Sequence, residues 1–418
     1  MGMKQNKIKQ LRLSPGVFRR GIILSILFFI SLITAIQLYA ESKVSAELNA
    51  YHIAGYDIDN TIWSSTMLGN ASVDVEASGY RNAKGLIRLQ ATAGDIAYVD
   101  LSRAYIKLRF PWFRVTTGKA PIAWGEGFAY NAADVLFRNF EPSANITSTE
   151  IRDNAAWITQ IFYPTGPFSF IEAVYLPKPY PFSTALSGML SGFSSETTSE
   201  TESTTTENTG TDGNTEMETA PQLPAFDSGR FGARWYVTLW DIKWEGGYLW
   251  EGDTSFHNPY LSLQGHLLIN WYLNASARIP HEEWYTDTAL DSVRLSAGIY
   301  HMMNLAGKTL NLRIETLITP KAEWEETENN TDQYGILLYP ELSLSVNDMT
   351  TVFTRSFVSP IELSGLSMAG IEWSPIQGNT LFLYATGRYG EEGDTYATGV
   401  TSGTANDIGI TGGFRFSY

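Results

Sequence analysis

The residues best suited to chemistry in this 418-residue chain lie between positions 113 and 138. Their spacing is G-K-x-x-x-x-W-G-x-G followed by N-x-x-D, and the predicted strand before them ends at the glycine–lysine pair. An amine, an indole, two carboxylates and an amide thus share one glycine-rich loop, where they could contact a polar molecule. Alternatively, the tryptophan and glycines only pack the loop against its neighbours. The candidate residues are Lys119, Trp124, Glu126, Asn131 and Asp134.

Motifs for enzyme chemistry are absent from the sequence: no G-x-S-x-G, H-E-x-x-H or P-loop pattern occurs. The five histidines are scattered singly, and the absence of cysteine excludes thiolate metal sites, iron–sulfur clusters and a cysteine nucleophile. We therefore expect a protein that is not an enzyme and has no metal site and no cofactor. A hydrolytic site assembled from residues distant in sequence stays open as an alternative.

Alternation with a period of two dominates the chain after residue 40, and no stretch there has helical periodicity. Counting the alternating runs between turn signals gives about 16–18 strands of roughly ten residues, long enough for a tilted strand to cross a bilayer. Residues 258–280 fit either one hairpin or one long strand, and residues 350–358 alternate poorly. The sequence predicts an all-β fold: a single transmembrane, antiparallel, up-and-down β-barrel. The alternative is a soluble sandwich or propeller, but no short repeat supports it.

If the apolar faces meet lipid, the polar faces line the lumen. The net charge of the whole chain is −15, which argues against nucleic acid as a partner. A basic lumen would favour anionic solutes, unless acidic residues such as Asp74 and Glu76 pair with Arg88 on a neighbouring strand. The basic candidates are Arg88, Arg103, Lys107, Arg109, Arg230, Arg234, Arg294 and Arg313, and the acidic ones are Glu47, Asp74, Glu76, Glu315 and Glu341.

The two ends of the chain carry export features. Residues 1–20 hold six basic residues and no acid, and an uncharged apolar stretch follows up to Ala40. This pattern predicts a signal peptide over residues 1–40, with an uncleaved membrane helix as the alternative. The last strand places Phe414, Phe416 and Tyr418 on its apolar face. It resembles the terminal strand by which the assembly machinery recognises bacterial outer-membrane barrels, although those barrels usually end in Phe.

Residues 191–220 are mostly Ser and Thr with acidic residues and no Lys or Arg. Such a segment cannot bury apolar surface, so we predict that residues 177–228 form a long disordered loop. Long loops of such barrels face the cell exterior, and we place residues 320–333 and 390–406 on the same side. The loop is interpreted as a solvated, variable segment, with surface shielding or ligand capture as the alternative.

The glycine-rich segment and the barrel pattern resemble porin-like and alginate-export-like outer-membrane barrels. The resemblance implies that the loop folds towards the lumen and that the five candidate residues line a constriction or contact the permeant. We predict a channel in the outer membrane of a diderm bacterium for passive diffusion of small hydrophilic solutes, with membrane lipid and the assembly machinery as partners. A monomer and a trimer stay open. The alternatives are a saccharide channel with Trp124, Tyr105 and Tyr300 as stacking residues, and a plugged adhesin or structural barrel.

Overall fold

A computed structural model describes residues 41–58, 61–79, 82–94, 98–137, 154–178, 229–281, 292–320, 335–390, 394–396 and 408–418. The predicted signal peptide and almost all of the predicted loop 177–228 lie outside these ranges. Within them, no helix has the length and apolar character needed to cross a membrane. The strands are β1 (Glu41–Asp57), β2 (Ile62–Gly79), β3 (Ala83–Ala93), β4 (Tyr98–Arg109), β5 (Arg114–Pro121), β6 (Ala155–Gly166), β7 (Ser169–Leu176), β8 (Arg230–Leu239), β9 (Ile242–Glu251), β10 (Phe256–His266), β11 (Asn270–Ser276), β12 (Ile279–Pro280), β13 (Arg294–Leu305), β14 (Lys308–Ile318), β15 (Ile336–Asn347), β16 (Thr350–Ser359), β17 (Ser364–Ile376), β18 (Asn379–Tyr389) and β19 (Ile408–Ser417).

The strands form one closed antiparallel sheet. Neighbours in sequence pair with each other, and β19 pairs with β1 over ten residue pairs from Glu47–Ser417 to Tyr56–Ile408. Both β11 and β12 pair with β10, so together they form one interrupted strand and the barrel has 18 strands around its circumference. The predicted up-and-down barrel is confirmed. All the strands of the described residues belong to this one sheet.

Two uncertain stretches of the sequence are resolved. Residues 258–280 are a hairpin, because β10 and β11 pair across a short turn at 267–269. Residues 350–358 lie in β16, where the inward side chains of Phe353 and Phe357 pack in an apolar cluster inside the barrel. These phenylalanines stand where a polar residue is expected, and they explain the poor alternation.

The outer surface of the barrel is apolar. Large aliphatic side chains such as Val44, Ile87 and Ile106 are between 43% and 51% exposed although they lie in the middle of strands. In β19, Phe414 and Phe416 are exposed in the same way. An apolar belt on the outside and polar groups inside are the pattern of a barrel that crosses a membrane.

The two ends of the barrel differ in the length of their connections. Tight turns at 240–241, 306–307, 348–349 and 377–378 lie at one end, together with the C-terminus. The connections between β5 and β6, β7 and β8, β14 and β15, and β18 and β19 lie at the other end. The three loops predicted to share one side therefore join strand ends at the same end of the barrel.

Candidate functional site

The chain folds into the barrel directly after β5. Residues 122–137, named here the inward loop, include side chains that are almost completely buried, among them Tyr130 and Leu136 at 0% exposure. The first part of the loop and its C-terminal residues pack with apolar side chains from β4–β10, whereas its middle packs with side chains from β14–β18. The inward loop thus contacts two distant parts of the barrel wall and fills the lumen between them.

Two glycines allow the sharp path of this loop. Gly125 and Gly127 have φ angles of 71° and 146°. A Cβ atom on Gly127 would lie 2.1 Å from the carbonyl oxygen of Tyr130, and one on Gly125 would lie 2.3 Å from the Cβ atom of Ala133. Glycine is the residue that tolerates both demands. The W-G-x-G spacing therefore specifies the backbone shape of the loop.

A buried ion-pair group holds the beginning of the loop. Arg234 forms salt bridges with Glu172 at 3.0 Å and Glu245 at 3.1 Å, and it also donates to the carbonyl oxygen of Ala123. Trp124 donates its indole N–H to Glu172 at 2.8 Å, and the backbone N–H of Gly125 donates to Glu245 at 2.9 Å. One cation on β8 thus orients two carboxylates that bind the loop.

A third carboxylate holds the middle of the loop. Glu315 of β14 is 2% exposed and accepts hydrogen bonds from the backbone N–H groups of Phe128, Ala129 and Tyr130 at 2.7–3.1 Å. The guanidinium of Arg313 lies over the ring of Phe128, 4.1 Å from its centroid. Hydrogen bonds to a charged acceptor are about twice as strong as neutral ones, so this contact fixes three consecutive residues.

Amide and hydroxyl groups connect the loop to β11 and β13. Asn131 donates to the carbonyl oxygen of Trp124, and its own side-chain oxygen accepts from Ala133 and from Asn274. Ser296 accepts from the backbone N–H of Ala132 at 2.9 Å. These bonds close the turn of the loop and join it to the wall.

A second segment covers the inward loop from the end with the longer connections. Residues 394–396 lie between β18 and β19, and the hydroxyl groups of Tyr396 and Tyr130 are 2.9 Å apart. Burial raises the pKa of the Tyr130 hydroxyl well above its ordinary value, because the charged form would lose its hydration. Tyr130 is therefore neutral and available for this contact across the physiological pH range.

The structure places the five predicted site residues in different environments. It encloses Trp124, Asn131 and Asp134 in protein, at 0–3% exposure. Lys119 lies on the outward phase of β5, in register with the outward Trp157 of β6, and donates to the carbonyl oxygen of Leu101 at 2.7 Å. Glu126 has an exposed side chain. The surrounding walls nevertheless remove part of its hydration and raise the pKa of its carboxyl group above the ordinary value, an effect that Lys243 partly offsets.

The predicted basic residues all lie on inward phases of their strands, but they have different partners. Arg88 binds Asp74 through two bonds of 2.5 and 2.6 Å, which is the cross-strand pairing that the sequence left open. Arg230 donates to the carbonyl oxygen of Leu136 in the inward loop, and Arg313 lies 3.6 Å from Glu341. Arg103 and Arg294 face inward in register with neighbouring inward residues. Much of the basic charge therefore serves the loop or its own ion pairs.

Of the predicted basic residues, Lys107 and Arg109 remain. They lie near the turn between β4 and β5, beside Arg114 of β5. Lys107, Arg109 and Arg114 form no salt bridge with any described residue, and Arg109 and Arg114 are register partners. The Arg114 guanidinium lies over the ring of Phe162 at 5.2 Å. The end of the lumen with the tight turns therefore has an uncompensated positive charge in this part of its wall.

The inward surface of β1–β3 and the first part of β4, named here the open wall, is less covered than the rest: its Tyr51 and Leu86 are only partly buried against the apolar clusters that include loop residues. Its polar side chains, such as Asn49, Arg88 and Gln90, are partly exposed. On the opposite side, Leu176, Leu249 and Asn274 are 0–1% exposed under the loop. The unfilled part of the lumen therefore lies along the open wall.

Sequence reasoning missed Glu172 and Glu245. Glu172 is the one charged residue of β7, which could have singled it out, whereas Glu245 shares the inward phase of β9 with Lys243 and Glu251. Their loop partners lie 48 and 120 residues away in the chain, so no local spacing reveals them.

Comparisons with known proteins agree with the fold. The chain is similar to the crystal structure of Acinetobacter baumannii OccAB4, with 11% sequence identity, a TM-score of 0.53, and coverage of 90% of this chain and 98% of the other. It is also similar to the outer-membrane protein OprD from Pseudomonas aeruginosa, with 8% identity, a TM-score of 0.50, and coverage of 90% and 94%. No protein-family model and no curated protein matches the sequence. The chain has the fold of bacterial outer-membrane porins.

Proposed function

We propose that this protein is a porin-like, non-enzymatic channel through which small hydrophilic solutes diffuse passively. The observation that carries the proposal is the unequal filling of the lumen: the inward loop buries one part of the wall and leaves the polar open wall partly exposed. Porins narrow a wide barrel in this way, so that size and charge select the permeant. Glu126 keeps its predicted role as a constriction residue, whereas Trp124 and Asn131 hold the loop in place and Asp134 is buried within it.

The orientation in the membrane follows from the connections. We place the barrel in the outer membrane with the tight turns at the periplasmic side and the longer connections outside. Residues 1–40 would direct export and be removed. The outward Phe414, Phe416 and Tyr418 at the end of the last strand support recognition by the barrel assembly machinery.

Conductance in a planar lipid bilayer tests the channel directly. We expect stable openings from the wild-type protein, and swelling of liposomes in small sugars that falls off with solute size. Because the chain contains no cysteine, a single introduced thiol can be labelled selectively. A bulky thiol reagent should lower conductance in Gln90→Cys, whose side chain lies on the open wall.

The matched control is Leu89→Cys, which adjoins Gln90 but faces outwards. Labelling there should leave conductance unchanged. A wild-type protein that neither conducts nor admits small sugars would instead support the plugged barrel. Equal block at both positions would contradict a path along the open wall.

We further propose a preference for anions, because the acidic groups of the lumen are mostly paired while Lys107, Arg109 and Arg114 form no salt bridge among the described residues. A unit charge about 7 Å from an ion in water changes its energy by about 0.6 kcal/mol, or roughly threefold in local concentration. Arg109→Gln with Arg114→Gln should therefore lower the anion-to-cation permeability ratio several-fold. The reversal potential in a salt gradient measures this ratio.

Lys308→Gln is the control for this experiment, because it removes a cation from the outward phase of β14 at the same end of the barrel as Arg114. It should leave the reversal potential unchanged. The anion preference would be refuted if the wild-type channel preferred cations. It would also be refuted if the anion-to-cation permeability ratio did not change on loss of both arginines.

A saccharide channel is the second candidate, and one observation favours it. A cavity of about 420 Å³ at the end with the tight turns is lined by Arg114 and by three inward aromatic rings, Phe162, Phe170 and Tyr236. The Phe170 and Tyr236 rings stack at 4.8 Å. Liposome swelling that is much faster for one oligosaccharide than for others of its size would favour this candidate.

A further inference from the structure

Two histidines meet on the outer surface of the barrel, at the end with the longer connections. His257 lies on β10, and His281 directly follows β12. The register pairs His257 with Ile279, and the backbone N–H of His281 donates to the carbonyl oxygen of Ser255 at 2.9 Å. Backbone pairing therefore fixes both positions, although 24 residues separate them in the sequence.

The side chains of these histidines converge. Nε2 of His257 and Nδ1 of His281 are 2.9 Å apart. The Tyr248 hydroxyl contacts Nδ1 of His257. The Trp250 ring lies 4.6 Å from the ring of His257 and 5.7 Å from that of His281. Because His281 is exposed, water reaches the pair directly.

We propose that His257 and His281 bind one divalent transition-metal ion, with Cu²⁺ as the best fit. Imidazole nitrogens suit Cu²⁺, Ni²⁺ and Zn²⁺, and Cu²⁺ and Ni²⁺ favour tetragonal geometry. Two adjacent ligands at about 2.0–2.1 Å from a tetragonal metal are about 2.9 Å apart. The two nitrogens have this separation in a hydrogen bond with each other, and the metal ion would replace the proton that they share. The described residues contain no cluster of three or more metal-ligating side chains, so the two imidazoles are the ligands that this part of the chain supplies.

Tyr248 would orient the site. When both facing nitrogens bind the metal, neither carries a hydrogen, so Nδ1 of His257 is protonated and donates to the Tyr248 oxygen. Such partners fix the ring and the tautomer of a ligating histidine, and their loss lowers metal affinity by about 10- to 100-fold. The proposal departs from the expectation, drawn from scattered histidines, that the chain holds no metal. It does not depend on the channel function.

Titration of the full chain in detergent with Cu²⁺ alone tests the site, with calorimetry for affinity and electron paramagnetic resonance for nitrogen ligation. We expect one Cu²⁺ per chain with coupling to two nitrogens, Ni²⁺ and Zn²⁺ binding less tightly, and at least a tenfold loss of affinity in His281→Ala. The double variant His257→Ala with His281→Ala should lose the two-nitrogen signal. Tyr248→Phe should bind more weakly and keep that signal.

His52→Ala is the control, because His52 contacts Ser65 on another part of the barrel. This variant should bind Cu²⁺ with the affinity of the wild-type protein. The His281 side chain is exposed, and alanine keeps the backbone hydrogen bond to Ser255, so a loss of binding in His281→Ala with unchanged β-sheet circular dichroism is not a folding defect. The proposal would be overturned if the double variant kept the wild-type Cu²⁺ affinity and spectrum. It would also be overturned if the wild type bound no more Cu²⁺ than the double variant.

Discussion

Glu315→Gln should release the middle of the inward loop. The carboxylate accepts hydrogen bonds from three consecutive backbone N–H groups, at Phe128, Ala129 and Tyr130, and almost no water reaches it. Glutamine has the same shape but one acceptor oxygen, and its NH₂ group would face donors. Each hydrogen bond to a charged group contributes about 1.5–3 kcal/mol, so we expect the free energy of unfolding to fall by about 2–4 kcal/mol.

Single-channel recording should show the functional consequence of this variant. A loop without its central contact is expected to move away from the wall, so conductance should rise and fluctuate between levels. Glu372→Gln is the control, because Glu372 accepts a hydrogen bond from Tyr384 and touches no loop backbone. Wild-type stability and steady wild-type conductance in Glu315→Gln would show that the carboxylate does not hold the loop.

The barrel itself could be predicted from the sequence, because its strands follow a local rule. A side-chain period of two places Ile87 and Leu89 outside and Arg88 inside whatever the neighbouring strands are, and Phe414 and Phe416 follow the same rule. The rule fails in β16, where Phe353 and Phe357 face inwards, because a segment from elsewhere in the chain supplies an apolar partner inside the lumen.

The candidate site was only partly predictable, because the partners of its side chains also come from elsewhere in the chain. The glycines and Trp124 marked a loop with a special backbone, but a side chain of that loop can face either the permeant or the wall. Trp124 and residues 128–130 face the wall, because they bind Glu172 and Glu315. These two carboxylates lie on strands that are distant in sequence. Lys119 shows the effect of a single step in phase: one residue further along the strand, its side chain would face the lumen.

Arg234→Met should be the most destabilising single substitution in the lumen. The guanidinium is 14% exposed and forms salt bridges with Glu172 and Glu245, whose side chains are 2% and 12% exposed. Removing the cation leaves two buried carboxylates next to each other without a counter-charge. Removing one partner of a buried ion pair typically costs about 3–5 kcal/mol, and we expect a loss of that size in the free energy of unfolding by denaturant.

Lysine should not replace this arginine. A lysine ammonium is a compact charge, whereas the guanidinium of Arg234 reaches Glu172, Glu245 and the carbonyl oxygen of Ala123 at the same time. We therefore expect Arg234→Lys to recover only part of the stability that Arg234→Met loses. The inward loop should be less firmly held in both variants, and noisier channel openings would report it.

A compensating variant distinguishes the loss of charge balance from the loss of packing. Combining Arg234→Met with Glu172→Gln and Glu245→Gln removes both buried charges together with their cation, and it should regain most of the lost stability. Arg114→Ala serves as a control at an exposed position of the lumen wall, because substitutions at exposed positions usually stay within about 0.5 kcal/mol. If the triple variant is as unstable as Arg234→Met, packing of the guanidinium against Trp124 and Phe170 accounts for the loss. If Arg234→Met keeps the wild-type stability, the ion-pair group does not hold the loop.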